Sequence, residues 1–142
     1  MPAPARPPIG LALAQTAKAA SRAFDDALAA AGGSLPIWLI LISLRAERLG
    51  TQRELADAVG INAATLTHHL NAMEADGLVV RRRNPDNRRV HDVRLSERGE
   101  ALFHQLAAVA LAVDRRLRTG LSNDDIATLA GLLDRLRHNV TP

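Results

Sequence analysis

Three observations predict a mainly α fold with a small β-hairpin. Helix-period apolar stripes rich in leucine and alanine fill most of the 142 residues, two short helical segments meet at Gly60, and two β-prone runs flank the turn-rich Asn84-Pro85-Asp86-Asn87. Two helices about a tight turn, followed at once by an arginine-rich hairpin, make a winged helix-turn-helix. Such a unit carries one helix sized for the DNA major groove and a wing sized for the backbone or minor groove. Apolar residues make up 47% and aromatic ones only 2%, so the core must come from Leu, Ala, Val and Ile, a mixture that favours helices.

The elements follow in order. The Pro-rich MPAPARPPIG lacks the long apolar stretch of a signal peptide and reads as a disordered arm over residues 1–8. Ile9 to Ala31 combines Leu11, Leu13, Phe24 and Leu28 with many alanines, a first long helix stopped by Gly32-Gly33. LPIWLILISLRAER, from Leu35 to Arg48, is apolar nearly all round at its start, as in a helix buried on several sides. A strand would suit Ile37 to Ile42 alone, but the segment continues to Glu47 without a turn signal.

Thr51 and Glu54 form a T-x-x-E capping box for a helix whose inner face is Leu55, Ala56 and Val59. Gly60 turns the chain, and Asn62 caps the next helix, whose inward positions are Leu66, His69, Leu70 and Met73 and which Gly77 ends. Leu78 to Arg83 and Val90 to Leu95 are the hairpin strands. Ser96 caps a helix running to about Thr119 with an apolar stripe of Leu102, Leu106, Val109 and Val113. Ser122 and Asp125 repeat the capping-box logic for a last helix carrying Ile126, Leu129, Leu132, Leu133 and Leu136.

The terminal helices exceed what a small winged domain must cover, and surplus apolar faces at both ends suggest intertwining with a second copy. Residues 35–95 are therefore expected to form the DNA-binding domain, and residues 9–34 and 96–142 a helical dimerisation region. The homodimer would match a palindromic site on double-stranded DNA.

Charge points to the same partner. The net charge is only +3, yet seventeen of the eighteen basic residues are arginines, which cannot be neutralised near neutral pH. Between Arg81 and Arg98 stand seven arginines against Asp86, Asp92 and Glu97, more than the net charge of the whole chain. Genomic base composition explains arginines in general but not this clustering, which fits a polyanion.

On the recognition helix the positions facing away from Leu66, Leu70 and Met73 are Ala63, Ala64, Thr67, His68 and Asn71. Asn71 and His68 can hydrogen-bond base edges, Thr67 a base or phosphate, and the alanines permit close approach and thymine-methyl contact. Thr51, Gln52 and Arg53 are placed for phosphate contacts at the preceding helix start, with Asn62 at the next. Without an arginine on the recognition face, affinity is expected to lean on the wing, through Arg82, Arg88 and Arg89, the last two able to enter a narrow A·T-rich minor groove.

Other chemistries find little support. The chain has no cysteine, which excludes disulfides, thiolate zinc sites and thiol redox sensing. It also has no Ser-His-Asp signature, Gly-rich phosphate loop or metal-ligand cluster, so no enzyme, cofactor or metal is expected. Adjacent His68 and His69 point about 100° apart on a helix and cannot easily share one ion. No apolar run approaches the roughly 20 residues of a membrane span, so no membrane partner and a cytoplasmic location are expected.

The order of elements and the phrases LADAVGINAATLTHHLNAMEADGLVVRR and NPDNRRVHDVRLSERG resemble the MarR family of bacterial transcriptional regulators over nearly the whole chain. The second phrase resembles the family's wing and the Leu-(Thr/Ser)-x-x-Gly opening of its dimer helix. The resemblance implies a homodimeric repressor of triangular outline on a palindromic operator, in many members released by a phenolic or aromatic carboxylate ligand. It further implies a ligand pocket between the dimer helices and the DNA-binding lobe, for which Trp38, Arg45 and His68 are the candidates here. A lone Trp in an apolar helix is more often core than part of a ligand cage.

Three departures stand out against the family pattern. The usual wing Asp-x-Arg aligns with Asn87 and Arg89, while Asp86 and Arg88 keep the same spacing one residue earlier; His69 replaces a usual aliphatic residue; and Ile37 replaces a commonly polar one. The alternatives to a ligand-responsive regulator are an effector-independent architectural DNA binder and a winged helix used for protein contacts.

Overall fold

The structure is a computed structural model that describes residues 5–47, 51–83 and 91–142. Its order is α1 (Ile9–Ala30), α2 (Leu35–Glu47), α3 (Gln52–Val59), α4 (Ala63–Ala75), β1 (Val79–Arg83), β2 (His91–Leu95), α5 (Glu97–Leu117) and α6 (Asn123–Val140). These are the expected helices and hairpin, with bounds moved by one or two residues. Residues 5–8 precede α1 without regular structure, and residues 1–4 of the expected arm lie outside the described residues.

Glycines and short polar side chains end and begin the helices where the sequence places them. At the end of α4 Leu78 N–H donates to Met73 O (2.8 Å) and Gly77 N–H to Glu74 O (3.0 Å), with Gly77 at φ +75°. This paired closure needs a left-handed residue, which glycine adopts without a Cβ penalty. It sends the chain straight into β1 with Met73 and Leu78 both buried. Gly60, at φ +78°, closes α3 with its own N–H and that of Ile61 both donating to Ala56 O, and sets the tight turn into α4. Asn62 Oδ1 accepts from Thr65 N–H (2.8 Å), and Ser122 with Asp125 forms a complete reciprocal capping box. At α3 one half of the expected box is seen: Thr51 Oγ1 accepts from Glu54 N–H (3.1 Å).

The core joins every element from α1 to α5. Leu28 of α1, Ile40, Leu41 and Leu44 of α2, Leu55 and Ala56 of α3, and Leu66, Leu70 and Met73 of α4 bury together with Val79, Val93 and Leu106. The two strands are antiparallel, with Val79 opposite Leu95 and Arg82 opposite Asp92, and Thr51 adds an isolated bridge to Asp92. That bridge ties the start of α3 to the wing. Its second anchor is at Ser96, whose N–H donates to Leu78 O (3.0 Å) and whose hydroxyl donates to Gly77 O. Gly99 lies so close to this seam that a Cβ there would stand 2.1 Å from Leu78 O.

The periphery is different. α6 has no fully buried residue, and Leu129 and Leu132 are exposed, as are Ile9, Leu11 and Leu13 at the start of α1 and Leu111, Leu117 and Leu121 around the end of α5. Among the described residues no single helix is long and apolar enough to cross a membrane.

Candidate nucleic-acid interface

α4 presents Ala63, Ala64, Thr67, His68 and Asn71 to solvent, opposite the buried Leu66, Leu70 and Met73. The 3.6-residue period makes this separation, and the caps at Asn62 and Gly77 fix where the exposed face begins and ends. His69 is half-buried at the edge of the inner face, its ring edge-on to His68 at 5.8 Å between centroids. Among the described residues no group of three or more His, Asp or Glu is arranged to hold a metal ion.

Hydrogen bonding within the protein decides what each side chain has left to offer. Asn62 spends its carbonyl on the cap, leaving its NH2 group. Thr67 donates its hydroxyl to Ala63 O (2.9 Å), so it meets a ligand as an acceptor. Thr51 is committed to the α3 cap, while Gln52 is half-buried beside it and Arg53 is exposed. Asn71 Oδ1 accepts from Arg81 Nη2, whose guanidinium also makes a fork to Glu74 through Nη2 to Oε1 (3.1 Å) and Nε to Oε2 (3.4 Å). Sequence reasoning missed this connection, because it grouped Arg81 with the other wing arginines.

On the hairpin, strand alternation puts Arg82 and Arg94 on the exposed outer side and Arg81 toward α4. Arg88 and Arg89, with Asp86 and Asn87, lie outside the described residues. The exposed face of α4 thus carries hydrogen-bond donors and acceptors, and the neighbouring hairpin carries the exposed guanidinium groups of Arg82 and Arg94.

The residues expected to line a ligand pocket are divided. Trp38 stacks on Phe103 of α5, with centroids 5.6 Å apart and planes 22° from parallel, and the Arg45 guanidinium lies over the same ring at 5.7 Å. Arg45 is held there by Glu100 at 3.2 Å, an exposed ion pair worth at most about 1 kcal/mol. His68 is not in this cluster; it stands on the solvent face of α4. Phe103 and Glu100 escaped sequence reasoning, although Phe103 is one of only two phenylalanines in the chain.

Comparison with known proteins matches this architecture. Residues 34–91 match the model of the MarR family. A variant of E. coli MarR, solved in complex with operator DNA, is 25% identical, with 91% of this chain and 93% of that chain covered and a TM-score of 0.78. The transcriptional repressor CouR, bound to a 23-mer DNA duplex, is 26% identical, with 91% and 92% covered and a TM-score of 0.78. An organohalide-sensing regulator, RdhR, in its 2,4-dichlorophenol-bound form shares the fold at 21% identity, with 93% and 79% covered and a TM-score of 0.77. With the helix-turn-helix, hairpin and terminal helices all in place, residues 34–91 are similar to the MarR family and the whole chain shares the winged-helix fold of the transcriptional regulators it matches.

Proposed function

We propose that the protein is a homodimeric, sequence-specific repressor that binds a palindromic operator and is released by a small aromatic or phenolic ligand. The observation that carries the DNA-binding part is the solvent face of α4, which holds Thr67, His68 and Asn71 among alanines beside the exposed arginines of the hairpin. In this reading Ala63, Ala64, Thr67, His68 and Asn71 meet base edges, Asn62, Thr51, Gln52 and Arg53 meet phosphates, and Arg82, Arg88 and Arg89 supply the wing's charge. No reacting group is asked of the protein, and no enzymatic role is assigned to it.

Dimerisation through residues 9–34 and 96–142 is supported by the exposed leucines of the terminal helices and by an apolar cleft of about 520 Å³ between the start of α1 and the end of α6, lined by Ile9, Leu13, Leu133, Leu136 and Val140. Exposed apolar surface of this kind marks faces used for association. The Trp38–Phe103–Arg45 cluster supports an aromatic acid or phenol as effector, since it offers a ring face beside a cation. CouR is a named repressor and RdhR was solved with a chlorophenol, which agrees with both halves of the proposal.

The test is binding of the full chain to fragments of its own genome over a range of salt. A steep loss of affinity with salt is expected, because each neutralised phosphate releases a counterion. Weak, salt-insensitive binding would favour the protein-contact alternative, and operator affinity unchanged across a panel of aromatic acids and phenols would remove the effector.

A further inference from the structure

We infer that Arg81 is a positioning residue that fixes which hydrogen-bonding group Asn71 shows to DNA, and so makes the position under Asn71 select a keto base, guanine or thymine. The inference rests on the DNA-reading role proposed for α4. Its physical basis is the three-residue network between β1 and α4.

An asparagine amide has one acceptor oxygen and one NH2 donor, whereas a guanidinium has donors only. Arg81 Nη2 can therefore hold Asn71 only by Oδ1, and the contact itself fixes the amide's orientation. Arg81 is in turn locked by its two-point contact with Glu74, at 3.1 and 3.4 Å, and its side chain is only 17% exposed. Charge-assisted bonds of this kind are strong, and partial burial protects them from salt. With Oδ1 drawn toward β1, the Nδ2 donor is the group left to the exposed face shared with Thr67 and His68.

The major-groove code then gives the preference. Guanine offers acceptors at N7 and O6, and thymine one at O4; cytosine offers a donor at N4. Adenine also offers the N7 acceptor, but beside it stands the N6 donor, which an NH2 group cannot satisfy; the two-point pairing of asparagine with adenine needs the amide oxygen to accept from N6 while the nitrogen donates to N7. Asn71 cannot bring its oxygen round to that edge while Arg81 holds it. Arg81 itself touches no phosphate in this account, which separates it from Arg82, Arg88 and Arg89.

The experiment is selection of duplexes from a pool with a randomised central segment, using the full-length wild type, Asn71→Ala, Arg81→Met, Arg81→Lys and the double variant Asn71→Ala/Arg81→Met. Comparison of wild type with Asn71→Ala identifies the base pair that Asn71 reads. Wild type is expected to favour guanine or thymine there by about tenfold over adenine or cytosine. Arg81→Met should admit adenine at that position and leave the salt slope unchanged, Arg81→Lys should keep the keto preference, and Arg81→Met should have no further effect on that position once Asn71 is alanine.

An adenine or cytosine preference in wild type overturns the inference without needing any Arg81 variant to fold. So does an Arg81→Met variant that retains the wild-type preference, or one whose salt slope falls by one ion, since the arginine would then be a phosphate contact. Failure of the wild type to enrich any sequence would overturn the sequence-reading role itself, and the inference with it.

Discussion

Replacing Gly99 with alanine tests the seam between the wing and α5. Gly99 occupies the first turn of α5, where alanine would ordinarily be favoured over glycine by about 1 kcal/mol. The added methyl would lie 2.1 Å from Leu78 O, 3.1 Å from its carbonyl carbon and 3.2 Å from Leu95 Cδ2. An ordinary carbon–oxygen contact is about 3.3 Å, so α5 and the Leu78 peptide must separate by about 1 Å. The nearest atom is backbone, and no side-chain rotation relieves it. That separation strains the Ser96 N–H to Leu78 O bond and the Ser96 hydroxyl contact with Gly77.

Overpacking costs of about 1–3 kcal/mol, here at the upper end, less the helix-propensity gain, leave a net loss of about 2 kcal/mol. For a chain of this size that lowers Tm by about 6 °C, measured by circular dichroism or calorimetry at one protein concentration, because the proposed dimerisation would make Tm concentration-dependent. Gly131→Ala in α6 is the internal control: a Cβ there meets nothing, and the same substitution should raise stability by about 0.5–1 kcal/mol. A Gly99→Ala variant as stable as wild type, with the expected gain at Gly131, would refute the close approach of α5 to Leu78.

Further consequences can be measured independently. Ser122→Ala removes the hydroxyl that accepts from Asp125 N–H in the α6 capping box, leaving only the backbone half, and should cost about 1 kcal/mol in thermal or denaturant unfolding; no change would mean that the hydroxyl cap contributes nothing in solution. Leu132→Glu, at a position 51% exposed in the single chain, should shift the protein from dimer toward monomer in sedimentation, and an unaltered dimer would take that face of α6 out of the interface. Arg89→Ala should weaken operator binding and lower the salt slope by about one ion, whereas equal affinity and slope would remove Arg89 from the contacts. Aromatic acids that release DNA should quench the fluorescence of Trp38, the single tryptophan, through its stack with Phe103; release without quenching would place the effector elsewhere.

What the sequence made legible was local. Asn62, Ser96, Ser122, Gly60 and Gly77 each declare a helix boundary through their own backbone or a partner three residues away, so helix ends and the recognition face followed from spacing. The apolar periods likewise identified Leu55, Leu66, Leu70, Met73 and Leu106 as core. Contacts that depend on how elements cross were not legible. Arg81 reaches Asn71 only because the Gly77 closure lays β1 along α4, and in the sequence it is one of three consecutive arginines. Phe103 joins Trp38 and Arg45 across 65 and 58 residues of chain, a pairing that no helical period encodes. The exposed leucines of α6 could be identified as surplus, but a stripe of apolar residues does not encode what covers it.

Footprinting of the full-length protein on its genomic operator, with affinity followed over a salt series, tests the central claim most directly. Two protected half-sites about one helical turn apart, and affinity that falls steeply as salt rises, are the predicted result for a dimer that places α4 in successive major grooves and the arginine wing beside them. A single asymmetric protected patch, or binding indifferent to salt, would contradict it.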